Sequence, residues 1–421
     1  MGRAKVTTAM LLYFLGLVSP CSALELWSDE QGREGNLNIT GKATSLFSDA
    51  PTDPCLPTGG WSTTTLMRLR LGLNVRHSDR MDFELAYEQR ARWISGSGLG
   101  VGSSFLPSKA PAPYRLTQLD WEISADDDSF YNHEIDRGLV AFHPEWGEVI
   151  IGRQAIGLGR GVLFGAVDVF SPFSPLEVDR EWRRGVDAVR AEYRLSTTSS
   201  AEIIGAFGET WEQSAVLGRV RGYMGNIDGS LIFGKRAEDL MAGTAVSTIV
   251  KEAEVHAEFA LFDTPEEQSD GGLWGDSRLA GKTVLGSSYT FDIGKGLTLL
   301  LEHHYSGFGV KNAEDALTRL KSSDFQERFL RGDIQILGRQ AIAGQASYPF
   351  DDATNGSLLV LTSPTDGSGV VSPSLRLDIN KNTTLVGSAF IPWGDESDQG
   401  RLESEYGATA ASLYVQLNMY Y

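Results

Sequence analysis

The sequence predicts an all-β fold: a single antiparallel transmembrane β-barrel of about 18 strands, with short turns at one end and long loops at the other. Apolar and polar residues alternate along many short segments, and the chain ends in such a segment. Hydrophobicity is modest, and glycine is abundant with 47 of 421 residues. A wall with lipid on one face and water on the other needs this kind of composition.

The last nine residues show the alternation most clearly. Leu413, Val415, Leu417 and Met419 alternate with polar residues or tyrosines, and the chain stops on Tyr421. A half-buried edge strand of a soluble protein is the alternative interpretation. An aromatic residue at the end of this pattern is similar to the carboxy-terminal assembly signal of outer-membrane proteins. That resemblance implies a barrel-assembly machinery as a partner and outer-membrane lipid as the surroundings.

The amino terminus has the pattern of a secretory signal peptide over residues 1–23. Two basic residues precede an apolar run from Ala9 to Val18, and Cys21-Ser22-Ala23 provide small residues before the cleavage point. The run is too short to cross a bilayer as a helix. We therefore expect export and a mature barrel over residues 24–421. Acylation of Cys21 is the alternative, but Pro20 is an unfavourable residue before it.

Charge and cysteine content narrow the possible partners. The chain has 37 basic and 55 acidic residues, and loss of Arg3 and Lys5 with the signal peptide changes the net charge from −18 to −20. Nucleic-acid binding needs clustered Lys and Arg, so we expect none. Cys55 is the only cysteine left in the mature chain, which excludes an internal disulfide. No pattern indicates a metal or a cofactor.

The strand count follows from the side on which each turn lies. About 20 segments look like strands, but tight turns and both chain ends of such a barrel belong in the periplasm. The tight connections at 77–80 and 143–146 can both lie on the periplasmic side only if residues 113–125 do not cross the membrane. Likewise, residues 325–337 belong to an outer loop that begins near Gly309. The long loops are predicted at 48–63, 95–125, 157–184, 263–281, 309–338 and 393–407.

The most specific signal lies between residues 147 and 184. The strand-like segment Gly147–Gln154 precedes a loop, Gly157–Arg184, that contains Val167-Asp168-Val169-Phe170-Ser171-Pro172 and Asp179-Arg180-Glu181-Trp182-Arg183-Arg184. With Asp366-Gly367-Ser368, Ser372-Pro373 and the carboxy terminus, this segment resembles the porin-like barrels related to alginate-export channels. The resemblance is local, and it implies an 18-stranded barrel with an arginine-lined pore.

The charges of that loop predict a constriction. Folded inward, the loop would narrow the lumen and create a local field. An extracellular loop tied by surface ion pairs is the alternative. The predicted constriction residues are Arg160, Asp168, Asp179, Arg180, Glu181, Arg183 and Arg184.

Charged residues on the polar faces of the strands are expected to line the lumen. Salt bridges between neighbouring strands are one interpretation, and a field that selects solutes is another. The predicted lining residues are Arg68, Arg70, Arg76, Glu84, Glu88, Arg90, Arg153, Arg190, Arg194, Glu254, His256, Glu258, Glu302 and His304.

These features favour an outer-membrane pore of a Gram-negative cell for passive or weakly selective passage of small hydrophilic solutes. Whether the solutes are anionic stays open. A plugged barrel with a structural, assembly or surface-binding role is the alternative. A membrane-embedded hydrolase has the least support, because the sequence contains neither G-x-S-x-G nor H-E-x-x-H. We therefore expect no enzymatic activity.

Overall fold

The computed structural model describes residues 24–52, 59–96 and 112–421, which form a closed β-barrel. The predicted signal peptide and Cys55 lie outside these residues. The described strands are β1 (Leu24–Ser28), β2 (Glu34–Ala50), β3 (Gly60–Ser78), β4 (Met81–Gly96), β5 (Asp120–Asp126), β6 (Ser129–Phe142), β7 (Gly147–Gln154), β8 (Val186–Arg194), β9 (Ser199–Ala206), β10 (Ala215–Met224), β11 (Ile227–Arg236), β12 (Asp239–Val250), β13 (Ala253–Gly272), β14 (Gly275–Phe291), β15 (Leu297–Ser306), β16 (Gln340–Pro349), β17 (Thr354–Thr362), β18 (Gly369–Asn380), β19 (Thr383–Trp393) and β20 (Ala411–Tyr420).

Eighteen of these strands make the barrel wall. Each pairs antiparallel with its neighbours, and β20 pairs with β2 to close the sheet. The short β1 pairs with the start of β2, and the short β5 pairs with the first residues of β6, so neither crosses the wall. The predicted all-β fold, the single antiparallel barrel and the count of about 18 strands are confirmed.

The turns separate the barrel into two ends, here called the turn end and the loop end. The tight connections at 77–80 and 143–146 both lie at the turn end, where the His143 amide donates to the Arg80 carbonyl at 2.9 Å. Residues 113–125 do not cross the wall, as the side argument predicted. The loop end carries the longer connections, among them residues 155–185, 307–339 and 394–410.

One connection contains helices. Residues 307–339, here called the helical loop, include a 3₁₀ helix (Ala313–Asp315), α1 (Ala316–Arg319) and α2 (Ser323–Arg331). Helix α2 is capped by Gly332, whose φ of 82° favours a residue without a side chain. The assignment of 325–337 to one loop is therefore confirmed. Within the described residues, no helix is long and apolar enough to cross a membrane.

The predicted long loop at 263–281 is wrong. Strand β13 continues to Gly272 and β14 begins at Gly275, so only residues 273 and 274 connect them. The first predicted loop also starts later than residue 48, because β2 continues to Ala50. A hairpin that extends beyond the lipid has water on both faces and needs no apolar-polar alternation, so its strands lack the pattern used to find them.

Burial along the strands is the reverse of that in a soluble protein. On β13, the apolar Val255 and Phe259 are exposed on the outside, while His256 and Glu258 are buried inside. On β20, Leu413 is exposed and Tyr414 is buried. The outer surface is therefore suited to lipid and the polar faces surround the lumen.

The carboxy terminus closes the barrel. Leu413, Val415 and Leu417 alternate along β20, Met419 is buried near its end, and Tyr421 exchanges backbone hydrogen bonds of 2.7 and 2.8 Å with Ile39. The strand thus has the predicted pattern, while its role as an assembly signal stays a prediction.

Candidate functional site

The connection between β7 and β8, residues 155–185, lies inside the barrel and is here called the inner loop. Asp179 contacts Lys42 on β2 and Arg68 on β3, at 2.6 and 3.0 Å. Elsewhere in the loop, backbone amides bind Glu258 on β13 and Glu302 on β15. The inner loop therefore crosses the lumen from one side of the wall to the other.

Glu258 fixes one turn of the inner loop. Its carboxylate accepts four backbone amides: those of Arg160 and Gly161 on Oε1, and those of Ala166 and Val167 on Oε2. The three longer bonds measure 2.7, 2.6 and 3.2 Å. The side chain is 2% exposed, so a carboxylate without these donors would be unfavourable here.

Glu302 fixes the residues between those four amides. The amides of Val162, Leu163 and Phe164 donate to its carboxylate at 2.6, 2.9 and 3.0 Å. The Nε2 atom of His256 lies 2.8 Å from Oε1 and completes the set of partners. Two inward carboxylates thus bind seven of the eight backbone amides from 160 to 167.

Glycines allow the backbone to come this close. A Cβ on Gly159 would lie 2.6 Å from the Glu258 carboxylate, and one on Gly161 would lie 2.0 Å from the Phe164 carbonyl oxygen. Neither position tolerates a side chain without displacement of the loop. The glycine-rich run from 157 to 165 is therefore part of the docking geometry.

His304 lies beneath the same segment as a packing residue. Its ring stacks on Phe164 with centroids 4.8 Å apart, and the side chain is fully buried. This geometry does not place His304 on an accessible surface of the lumen.

The opposite side of the lumen contains a dense network of ion pairs. Glu88 accepts from Arg68 and Arg70 on β3 at 3.0 and 3.3 Å, and it also pairs with Arg90 on its own strand. Asp136 on β6 pairs with Arg70 at 2.9 Å. The basic residues predicted to face solutes are thus largely neutralised by neighbouring strands.

The inner loop adds an aromatic ring and more acids to this network. Trp182 lies under three cations, with the charged groups of Lys42, Arg68 and Arg70 at 4.1, 5.4 and 4.9 Å from a ring centroid. Burial opposes ionisation of Asp179, but Arg68 and Lys42 outweigh it and keep its pKa below the usual range. Strands β2 and β3 therefore hold the second half of the loop.

The remaining predicted constriction residues also belong to the inner loop. Most of them contact other residues of the same loop. Arg180 donates to carbonyl oxygens, including that of Val162 at 2.9 Å, and Arg183 pairs with Asp168. Burial raises the pKa of Asp168 even though Arg183 opposes this effect. Arg160 pairs with Asp228 on β11, and Glu181 contacts Lys42 at 2.6 Å and accepts from the Tyr420 hydroxyl at 3.0 Å.

Arg184 differs from its neighbours. Its Nε atom is buried with no hydrogen-bond partner within the described residues. Burial, reinforced by Arg90, lowers the pKa of Arg184 to about 10. The nearby Arg115 has a buried Nη1 that also lacks a hydrogen-bond partner, although it lies 3.6 Å from Glu134. This corner of the lumen is thus richer in cations than in partners for them.

The helical loop packs on the inner loop from the loop end. Gln335 joins them by donating to the Phe173 carbonyl at 3.2 Å and accepting from the Gly165 amide at 3.0 Å. Phe308 and Phe325 join Phe170 in one apolar cluster against the inner faces of β9 to β14. The two loops therefore fill much of the loop-end half of the lumen.

Buried ion pairs anchor the helical loop to the wall. Arg328 donates two hydrogen bonds to Asp239, of 2.8 and 3.0 Å, and Arg236 pairs with Asp333. Burial opposes ionisation of Asp333, but Arg236 and Arg331 hold its pKa far below the usual range. Sequence alternation did not identify this anchor, since half of it comes from a loop.

The turn-end half of the lumen is more open. One recess of about 440 Å³ is lined by Glu84, Arg137 and Arg190, and another of about 400 Å³ by Arg70, Glu181 and Trp182. Three of the remaining predicted lining residues lie near this end: Arg76 is 3.3 Å from Glu34, and Arg194 and Glu254 are exposed. Arg153, in contrast, is buried against Asp187 at 2.7 Å.

No known family model matches the sequence, and no curated protein matches it significantly. Solved structures do share the fold. OccAB1 of Acinetobacter baumannii is 9% identical over 92% of this chain and 96% of its own, with a TM-score of 0.54. OccAB4 of the same organism is 10% identical over 92% of this chain and 98% of its own, with a TM-score of 0.53. Wzi of Escherichia coli is 11% identical over 91% of this chain and 84% of its own, with a TM-score of 0.53. It is described as a carbohydrate-binding outer-membrane β-barrel involved in group 1 capsule assembly. The chain therefore has the porin-like fold of outer-membrane β-barrels.

Proposed function

We propose that this protein is a pore of a Gram-negative outer membrane, narrowed by its inner loop, that passes small hydrophilic solutes. In this proposal the turn end faces the periplasm, outer-membrane lipid surrounds the wall, and β20 is recognised by the barrel-assembly machinery. The observation that carries the proposal is the access to the inner loop from the turn end. The recess of about 400 Å³ there is lined by charged residues and by Trp182 of the loop itself.

The charge distribution favours anionic solutes. Glu258 and Glu302, the buried acids of the far wall, are occupied by loop amides and are screened from the lumen. Arg184, in contrast, has a buried Nε atom without a hydrogen-bond partner in the part of the chain that the structure describes. We expect the carboxylate or phosphate of a solute to bind the half-buried guanidinium group of Arg184, because guanidinium groups bind such oxygens strongly.

Planar-bilayer recording tests both parts of this proposal. Refolded protein should give discrete conductance steps and a reversal potential that indicates preference for anions. Arg184→Gln should lower the anion-to-cation permeability ratio. Arg80→Gln, at an exposed residue of a tight turn, should leave it unchanged. Absence of conductance steps would contradict the pore, and an unchanged ratio in Arg184→Gln would contradict the role of that residue.

The packing of the two loops favours a second candidate, a plugged barrel with a binding role. Phe170, Phe308 and Phe325 are each at most 2% exposed, so this part of the lumen is dry. The similarity to Wzi suggests carbohydrate as a ligand class to test. Glycan binding without conductance would favour this candidate, whereas conductance steps would exclude a complete plug. Neither candidate requires enzymatic activity.

A further inference from the structure

The recess of about 400 Å³ beside Trp182, here called the Trp182 recess, has a floor of small residues. Gly72 on β3 lies in register between Asn38 on β2 and Ala86 on β4, and all three line the recess. A Cβ on Gly72 would meet nothing closer than Asn38, at 3.9 Å. Neighbouring atoms therefore do not require a glycine here, although glycine weakens a strand. Its missing side chain leaves space above the sheet, as a ligand would need.

Polar groups surround this floor. Asn74 on β3 is paired in register with Glu84 on β4, next to the pair of Asn38 and Gly72. Within the described residues, the side chains of Asn38, Asn74 and Glu84 make no hydrogen bond or ion pair, and none of them is fully buried. Side chains paired across neighbouring strands lie about 5 Å apart. Two amides and a carboxylate thus stand close together and are available to a ligand.

The inner loop and the carboxy terminus form the other side of the Trp182 recess. Trp182 and Glu181 of the loop line it together with Tyr420 and Tyr421. Glu181 accepts from the Tyr420 hydroxyl at 3.0 Å and pairs with Lys42 at 2.6 Å, which fixes the loop against the wall. One recess therefore combines aromatic surface with amide, hydroxyl and carboxylate groups.

The charges that line the recess balance. Glu84 and Glu181 are accompanied by two arginines, Arg70 and Arg137, and both arginines pair with Asp136, at 2.9 and 2.7 Å. An anionic ligand would compete with Asp136 for these arginines and would be repelled by Glu84. A neutral ligand with many hydroxyl groups meets no such repulsion, and each of its hydroxyls can both donate and accept. The lining therefore favours an uncharged, hydroxyl-rich ligand.

We propose that the Trp182 recess is a saccharide subsite that binds an uncharged sugar of one or two rings. The sugar occupies the space above Gly72, and its hydroxyl groups bind the amides of Asn38 and Asn74 and the carboxylate of Glu84. The subsite is separate from Arg184, which does not line this recess. Sugar binding needs only the folded barrel, whereas a role of the subsite in passage rests on the proposed pore.

Equilibrium dialysis of labelled glucose, galactose, mannose and maltose tests the subsite, with the full refolded barrel in a detergent that has no sugar headgroup. At least one of these sugars should bind, and more tightly than glucuronate, which carries a carboxylate in place of a hydroxymethyl group. Glu84→Ala should weaken binding by about ten- to a hundredfold, because a hydrogen bond to a charged group is lost. Glu145→Ala, at an exposed acid of a tight turn, should bind as the wild type.

A second variant tests the space above the floor. Gly72→Val should abolish binding, because the added side chain fills the recess while its Cβ meets no atom closer than 3.9 Å. The matched control is Gly387→Val. A Cβ on this strand glycine would meet nothing within 4 Å, and the residue is paired with the exposed Leu375 on the outer face. Its binding should equal that of the wild type.

The outcomes separate the subsite from the pore. Binding of none of the four sugars, tighter binding of glucuronate, or unchanged binding in Gly72→Val would overturn the subsite. If Gly72→Val does not fold, unchanged binding in Glu84→Ala would overturn it instead. Sugar binding without conductance steps would support the subsite and contradict the pore, and conductance steps without sugar binding would do the reverse. A sugar that lowers the conductance of the wild type but not of Gly72→Val would support both.

Discussion

Removal of the Glu258 carboxylate should undock the inner loop while the barrel stays intact. The Glu258→Ala change leaves four buried backbone amides, from Arg160 to Val167, without an acceptor. A hydrogen bond to a charged group contributes about 1.5–3 kcal/mol. At the low end of that range, four bonds give a loss of about 6 kcal/mol in the free energy that holds the loop in place.

Glu258→Gln gives an intermediate and more specific result. Two of the four amides donate to each carboxylate oxygen, so an amide side chain keeps one pair and places its own NH₂ group against the other. We therefore expect about half the loss, roughly 3 kcal/mol. That corresponds to about a hundredfold rise in the population of undocked loop.

Limited trypsin digestion measures this population, because the inner loop contains Arg160, Arg180, Arg183 and Arg184 as cleavage sites. When reclosing is faster than cleavage, the rate of cutting follows the fraction of open loop. Cleavage should rise about a hundredfold in Glu258→Gln and further in Glu258→Ala. A difference in gel mobility between heated and unheated samples reports whether the wall itself remains folded.

The matched control is Glu254→Gln. Glu254 lies on the same face of β13 as Glu258 but is exposed near the turn end. Its variant should be cut at the wild-type rate. Equal cleavage rates in wild type, Glu258→Ala and Glu254→Gln would refute the role of the carboxylate in docking. Loss of the folded barrel in Glu258→Ala alone would show that the loop is part of the fold rather than a docked segment.

Three further changes test the inner loop and the outer face of the wall. Gly161→Ala should increase trypsin cleavage of the inner loop, because its Cβ would lie 2.0 Å from a carbonyl oxygen, whereas Gly157→Ala, with its nearest contact at 3.5 Å, should not. Trp182→Ala should destabilise the docked loop by about 1–2 kcal/mol through lost cation–π contacts, seen as a smaller rise in cleavage. Leu413→Glu should reduce the amount of assembled barrel in the outer membrane, because it places a charge on the lipid-facing surface; normal assembly would contradict that orientation of β20.

The barrel wall could be predicted from the sequence because the alternation that indicates each strand is a local pattern. Alternation along β13 or β20 depends on residues two positions apart, and it is set by lipid on one side and a polar lumen on the other. The number of spanning strands then followed from the requirement that 77–80 and 143–146 lie at one end. Alternation failed as a guide at 263–281, where the strands of the hairpin are mostly polar and carry no such pattern.

The docking of the loops could not be predicted in this way. Glu258 binds Ala166 across a separation of 92 residues, and nothing in the pattern of β13 distinguishes this acid from Glu254. The available signal was in the loop: four glycines within Gly157–Gly165 indicate a backbone that approaches another group closely. Arg328 and Asp239 gave no comparable signal, since an arginine on a short helix is usually solvated.

The partners of the lumenal charges change how a selective field should be inferred. A count along the inner faces would describe Glu258 and Glu302 as an acidic wall opposite a basic one containing Arg68 and Arg70. In the structure, loop amides bind the first pair and shield it from the lumen, and Glu88, Asp136 and Asp179 neutralise the second. A solute responds to the charge that remains after this pairing. That remainder lies with groups such as Arg184, so single substitutions there should alter selectivity more than substitutions within the paired network, which should alter stability instead.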